Sequence, residues 1–412
     1  MECCLGVIII NIIVVVTLTM LTILFVLRLR KPIGMAMLTG SLCVWLLRGA
    51  LPEIFGRSLL EVIYLPRTYE LIFALYFVMC LEMQLRLSGA FKGTLSALEN
   101  WFRSDRVSIA FMPAILGLLP SLGGAIFSAP MVNSLGDRLK ISAEQKSVIN
   151  FWYRHVAEYC SPIQPGLLVT AMILNVPLGI LIGKLWVLSI VAVLLGWVFC
   201  IPRRDAQLSV PHNSNIDVKL DVKNMFFTLF PVLFNFLFVV IFKGNPAISM
   251  GIVVLLMFPL LAMDKRPVNV VKTFVGAFDY KLLLNVSCIV LFIQILTNTG
   301  ALRDLVQVFA ATALSPALII ALVSFVIGLL TGISQGHAAM IMPLVASMSP
   351  NDATLGALAF VCGVAGQMLT PTHLCLVVTV DYFKADLFKT LKPILVMQAL
   401  LTLFFVFWQY VL

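Results

Sequence analysis

A chain of 412 residues that is 61% hydrophobic and 11% charged, with a mean hydropathy of +1.05, is too apolar for a soluble globular protein, whose apolar fraction lies nearer one half. Its net charge of +9 would suggest nucleic acid in a soluble chain. Here the Lys and Arg fall mainly in short loops between apolar runs, so they read as topological signals, and the lipid bilayer, not nucleic acid, is the expected partner. The nine cysteines show no CxxC or Cys/His cluster in sequence and read as small buried hydrophobes, with neither a disulfide framework nor a metal centre expected.

The start, MECCLGVIII, lacks a basic n-region and leads into a full-length span, so the first helix is expected to be retained. The first half reads as spans Gly6 to Leu27, Ile33 to Ala50 and Tyr69 to Leu85. A Gly/Pro-rich stretch at about 107–135 follows, then a broken segment at about 144–177 and a span Gly179 to Ile201. The second half repeats that order with Asn224 to Phe242, Ala247 to Met263 and Lys281 to Asn298, a Gly-rich stretch at about 315–347, a broken segment at about 352–383, and Phe388 to Leu412. This divides the chain into a first repeat 1–212, a cytoplasmic linker 213–222 and an inverted second repeat 223–412.

The Gly/Pro-rich stretches, with small polar clusters between helix-compatible flanks, read as re-entrant hairpins. A hairpin that enters and leaves on one side gives five crossings per half, and an odd count inverts the second half relative to the first. Loop charge fits. With both termini outside, Arg28, Lys31, Arg86, Arg138, Lys140, Arg203, Arg204, Lys265, Arg266, Lys389 and Lys392 are among those that fall inside. Only Arg48, Arg57, Arg67, Lys243 and Arg303 fall in outer loops. An amphipathic segment precedes each hairpin, Gly89 to Arg106 and Gly300 to Ala313, suited to the membrane interface.

Ser161-Pro162 and Thr370-Pro371 sit in matching places in the two halves. The hydroxyl residue suits an N-cap and the proline the first turn of the next helix, so each break would aim a helix amino terminus inward. Unpaired N–H groups and the positive end of the helix dipole favour a carboxylate-like anion there, and freed carbonyls suit Na⁺. A proline kink without ligand is the plainer alternative. The expected substrate-binding set is Ser121, Gly123, Gly124, Ser161, Pro162, Gln164, Ser334, Gln335, Gly336, Thr370, Pro371 and His373. Gly117 and Gly328 read instead as close-packing glycines.

Arg154 and Glu158 are four apart, on one face of an expected helix, and should face each other, because a lone charge at bilayer depth is costly. Glu158, His155, Arg154, His337 and Gln367 are the expected ion- or proton-coupling residues. In the motif register Glu158 matches Gln367, Gln164 matches His373 and Thr170 matches Thr379, giving similar scaffolds with different polar equipment.

NFWYRHVAEYCSPIQPG and GQMLTPTHLCLVVTVDYF resemble the integral membrane family catalogued as domain of unknown function 401. The resemblance spans nearly the whole chain and implies a branch of the ion transporter superfamily, which includes dicarboxylate, citrate and gluconate permeases and arsenite exporters. It further implies a homodimeric, two-repeat, elevator-type secondary carrier. Where relatives carry Ser-Asn-Thr signatures, this chain has Ser121, Ser161-Pro162, Ser334 and Thr370-Pro371. The expected fold is therefore an all-α polytopic membrane protein with two inverted repeats, each with a re-entrant hairpin and a broken transmembrane helix. The expected function is secondary active transport of a small organic anion coupled to Na⁺ or H⁺ across a prokaryotic plasma membrane. No phosphate-binding Gly-x4-Gly-Lys-Ser/Thr loop occurs, so neither a nucleotide cofactor nor enzymatic activity is expected. The alternative is a membrane-embedded enzyme or flippase acting on a lipid-linked group, with Glu158 and a histidine as acid and base.

Overall fold

A computed structural model describes residues 2–29, 31–90, 93–94, 97, 104–118, 124–202, 218–370 and 373–410. Among them every regular element is helical. The first half holds α1 (Glu2–Arg28), α2 (Ile33–Leu47), α3 (Pro52–Tyr64), α4 (Pro66–Leu87), α5 (Asp105–Gly117), α6 (Gly124–Arg138), and α7 (Ala143–His155) with a 3-10 turn (Val156–Tyr159). It closes with α8 (Pro165–Leu174) and α9 (Leu178–Phe199). The second half holds α10 (Val218–Phe236) with a π-helical turn (Leu237–Ile241), α11 (Pro246–Met263), α12 (Val270–Ala277), α13 (Tyr280–Asn298) and α14 (Ala301–Ala310). After these come α15 (Pro316–Thr331), α16 (Ser334–Met348), α17 (Ala353–Met368), α18 (Leu374–Phe383) and α19 (Leu387–Tyr410).

Local chemistry sets many of these boundaries. Proline at the first helical position starts α3, α4, α8, α11 and α15, where its missing N–H costs nothing. Side-chain caps from Ser142, Asn245, Asn269, Asp279, Ser315 and Asp352 satisfy first-turn amides elsewhere. Two helices lie where the sequence reading placed loops. α3 leaves Leu59, Leu60, Ile63 and Tyr64 exposed, and α12 leaves Val270, Val271 and Val275 exposed, apolar faces suited to the membrane interface. Both are short and of mixed polarity, so neither registers as a span.

Four helical stretches are long and apolar enough to cross a bilayer: Leu178–Phe199, Lys219–Ile241, Pro246–Met263 and Leu387–Tyr410. The bent pair α13–α14, with 68° between its arms, makes a fifth. Ile33–Leu47, Pro165–Leu174, Pro316–Thr331, Ala353–Met368 and Leu374–Phe383 are apolar but shorter, below the roughly 20 residues that a span needs. The chain is a helical, multi-pass membrane protein. Of the two amphipathic segments, Gly300 to Ala313 forms α14, while Gly89 to Arg106 falls largely outside the described residues. So does the first half of the linker, 213–217.

Element order and packing recur from half to half. α2 packs on α13 and α11 on α4; α5 packs on α7 and α15 on α17; α16 packs on α8 and α18 on α6. Left-handed backbone recurs at matching places too: Ala50 with Lys265, Gly89 with Gly300, Lys140 with Asn351, and Asn175 with Lys384. The hairpin glycines behave alike. A Cβ on Gly117 would be driven into the carbonyl oxygen of Arg154, and one on Gly328 into that of Gly363, so both positions serve backbone-to-backbone approach. Beside the main core, α4, α10, α11 and α12 enclose a second one around Leu81, Leu85, Met250, Val253 and Met257.

Candidate functional site

Both broken segments leave and re-enter helical structure at matching residues. α7 tightens into the 3-10 turn at Val156 and the chain unwinds at Cys160; α8 begins at Pro165 with Gln164 as its N-cap residue, at φ −73° and ψ 119°. α17 ends at Met368, and α18 begins at Leu374 with His373 at φ −70° and ψ 111°. The caps are thus Gln164 and His373, not Ser161 and Thr370 as the hydroxyl-proline steps suggested. In the first break a second proline, Pro165, takes the first helical position, which moves the start downstream. Neither cap closes a side-chain hydrogen bond onto its helix, so these side chains leave first-turn amides of α8 and α18 uncapped. Ser161 is buried and its hydroxyl donates to the Leu118 carbonyl at 3.4 Å, which ties the break to the end of α5. Thr370 and Pro162 are buried as well.

Glu158 is the centre of a buried polar cluster. It is 3% exposed, and Gln367 Nε2 donates to its two carboxylate oxygens at 3.1 and 3.4 Å. Ser334, at the start of α16, and the cap residue Gln164 lie close to the carboxylate as well. The carboxylate thus faces groups from both breaks and from the start of α16, and the matched residues Glu158 and Gln367 touch each other directly. A Cβ on Gly166 would lie 2.6 Å from the Ser334 Cβ, so only glycine lets the tip of α15–α16 seat on the start of α8. Gln335 is half-buried beside that tip, and Gly336 packs against Thr331 and Ile33.

The expected Arg154–Glu158 ion pair does not form among the described residues. The four-residue spacing assumes an α-helix, and the 3-10 turn that begins at Val156 rotates Glu158 off that face. Arg154 instead lies beside the Cys375 sulfur. His337 is fully buried in the first turn of α16, with its ring against Gly363 and Phe360, one turn before Gln367. Gly124 opens α6. Ser121, Gly123 and Pro371 lie outside the described residues.

Sequence reasoning missed two groupings. Asn150 accepts from the Ser128 hydroxyl at 2.6 Å and donates to Thr379 Oγ1 at 3.1 Å, a buried link between α6, α7 and α18. His155 Nε2 stands 3.1 Å from His373 Nε2, with the edge of Phe151 against both rings and Cys375 close by. His155 lies more than two hundred positions from His373 and Cys375, and a sequence search for local Cys/His spacing cannot join them. A cavity of about 480 Å³ lies elsewhere, between α4, α8 and α11, with Glu70, Asn175, Lys243 and Asn245 as its polar lining.

The model of a family described as a protein of unknown function, DUF401, matches residues 13–412. No curated protein matches the chain.

Proposed function

Because the chain belongs to the DUF401 family over nearly its whole length, and because its two broken segments meet at one buried carboxylate, we infer that it is a secondary active transporter of a small organic anion. Coupling is to Na⁺ or H⁺. The observation that carries the reading is the pair of helix starts at Gln164 and His373, at matching places in the halves, with first-turn amides uncapped by either side chain, near Glu158 and Gln367. Interrupted helices at membrane depth are tolerated where they line a polar site, and paired interruptions suit alternating access by inverted repeats. The reciprocal packing of α2–α13 with α11–α4, and of α16–α8 with α18–α6, supports two repeats related by a pseudo-two-fold axis in the membrane plane.

In this reading the hairpins α5–α6 and α15–α16 are re-entrant and move with the broken segments, α9 and α19 as an elevator-type transport body. α1–α4 and α10–α13 form a dimerising scaffold, in which α4 and α10–α12 share a core of their own. The cavity between α8 on one side and α4 and α11 on the other lies along the seam where such bodies would slide. Glu158 carries the coupling charge, and its amide and hydroxyl neighbours hold it in place in either protonation state.

Uptake into liposomes tests the function. Purified protein is reconstituted and labelled mono-, di- and tricarboxylates are offered under imposed Na⁺ or pH gradients. Saturable, gradient-driven accumulation of one of them is expected. Flux that neither saturates nor responds to a gradient rules out the carrier.

A further inference from the structure

Where α7 ends and α18 begins, three ligand-type side chains from opposite halves of the chain converge. The nearest nitrogens of His155 and His373 are 3.1 Å apart, and their ring nitrogens and the Cys375 sulfur provide ligand atoms within 4.8 Å of one another. Two imidazole nitrogens bound to one ion at about 2 Å each sit roughly 3.3 Å apart at a tetrahedral angle. The pair is therefore already near ligating separation.

The hydrogen-bond pattern makes the arrangement more specific. His155 Nδ1 lies 2.7 Å from the Phe151 carbonyl oxygen, which only accepts, so Nδ1 carries the hydrogen and Nε2 turns its lone pair toward His373. A ring N–H held by a backbone carbonyl is the usual support of a metal-bound histidine. His373 is 6% exposed, and its ring lies against the Gly332 backbone as well as against His155. A cation shared by both Nε2 atoms takes the place of the single hydrogen that can lie between them.

We propose that His155, His373 and Cys375 bind a monovalent thiophilic cation of the Cu(I) class, bridging the two broken segments. Imidazole and thiolate donors select Cu(I) and Zn²⁺ among available metals, and charge separates those two. Binding releases the Cys375 thiol proton to water, and the sulfur then contributes one negative charge. The other charged groups that reach the sulfur, Arg154 and Glu158, offset one another. Cu(I) leaves the buried cluster neutral, whereas Zn²⁺ leaves a net positive charge in a poorly solvated site. Binding can be read without transport, so it stands or falls separately from the carrier.

The full-length protein in detergent is titrated anaerobically with Cu(I) against a chromogenic Cu(I) chelator, and separately with Zn²⁺. One Cu(I) per chain is expected, with affinity lowered on the order of 100-fold or more in each of His155→Gln, His373→Gln and Cys375→Ser. Unchanged Cu(I) affinity in these variants overturns the site, and tighter binding of Zn²⁺ than of Cu(I) overturns the assigned cation. Should a variant not fold, alkylation of Cys375 in the wild-type chain, read by peptide mass spectrometry, gives the answer. Ag(I), a redox-inert stand-in, should protect Cys375, and equal labelling with and without Ag(I) overturns the proposal.

Discussion

α7 and α17 occupy the same place in the two halves and are held there by partly different physics. α7 carries Lys146, Asn150, Arg154 and His155, all buried or half-buried, and adds a set of hydrogen bonds to the backbone approach of Gly117 to Arg154. Lys146 reaches Asp137 at 2.5 Å and Asn133 at 2.9 Å, Asn150 joins Ser128 and Thr379, and Trp152 Nε1 donates to the Ala192 carbonyl at 2.8 Å. α17 is buried from Leu355 to Met368 and made mainly of small and apolar residues. It is fixed by backbone approach to α15, through Gly363 against Gly328 and Gly366 against Phe325. One scaffold thus tolerates polar or packed solutions, and the polar one brings the carboxylate.

The largest effect should come from the packed half. Gly328→Val places side-chain carbon against the Gly363 carbonyl with no flexible neighbour to yield. The expected result is loss of monodisperse protein in size-exclusion chromatography, since overpacking already costs about 1–3 kcal/mol where side chains can adjust. Gly117→Val should fail in the same way against Arg154. A well-folded Gly328→Val chain would show that α15 and α17 are not locked together.

Next is the carboxylate. Glu158→Gln keeps the shape and much of the contact with Gln367 but removes the charge. Gradient-driven uptake should fall about tenfold or more with thermal stability retained. The swap Glu158→Gln with Gln367→Glu moves the carboxylate to the other half and should not restore uptake, because Arg154 and His155 stay on α7. Full recovery would mean the halves are interchangeable at this point.

A smaller effect is expected at Asn150. Asn150→Leu leaves the Ser128 hydroxyl and Thr379 without their partner in a dry interface, costing about 1–3 kcal/mol. Adding Ser128→Ala and Thr379→Val removes the orphaned groups and should recover much of the loss, as read by thermal denaturation in detergent. No recovery would assign the cost to packing rather than to hydrogen bonding.

Much of the fold was legible because bilayer-length apolar runs and Gly/Pro interruptions are strong local signals. The hairpins at α5–α6 and α15–α16 and the breaks after α7 and α17 fall within the expected stretches. What was not legible depended on local helix type or long-range pairing. The 3-10 turn at Val156 has no sequence signature here, so the four-residue rule paired Arg154 with Glu158 wrongly. The start of α8 at Pro165 turned on which of two prolines the chain used. The contact of His155 with His373 and Cys375 exists only once the halves are packed.

The smallest effect is expected at Arg138, whose guanidinium meets the Asp105 carboxylate at 2.6 Å between the outer ends of α5 and α6. Its side chain is 41% exposed, and pairs of that kind contribute about 0–1 kcal/mol after solvent screening and the entropy of holding two side chains. Arg138→Ala should therefore shift the detergent melting temperature far less than Asn150→Leu does, although both residues join neighbouring elements of the first half. The buried amide loses its partners with no solvent to replace them, while the partly exposed Asp105 carboxylate keeps access to water. Equal shifts for the two variants would place the Arg138 pair in a poorly solvated setting, and the first half would then owe its rigidity to charge as well as to its buried amide.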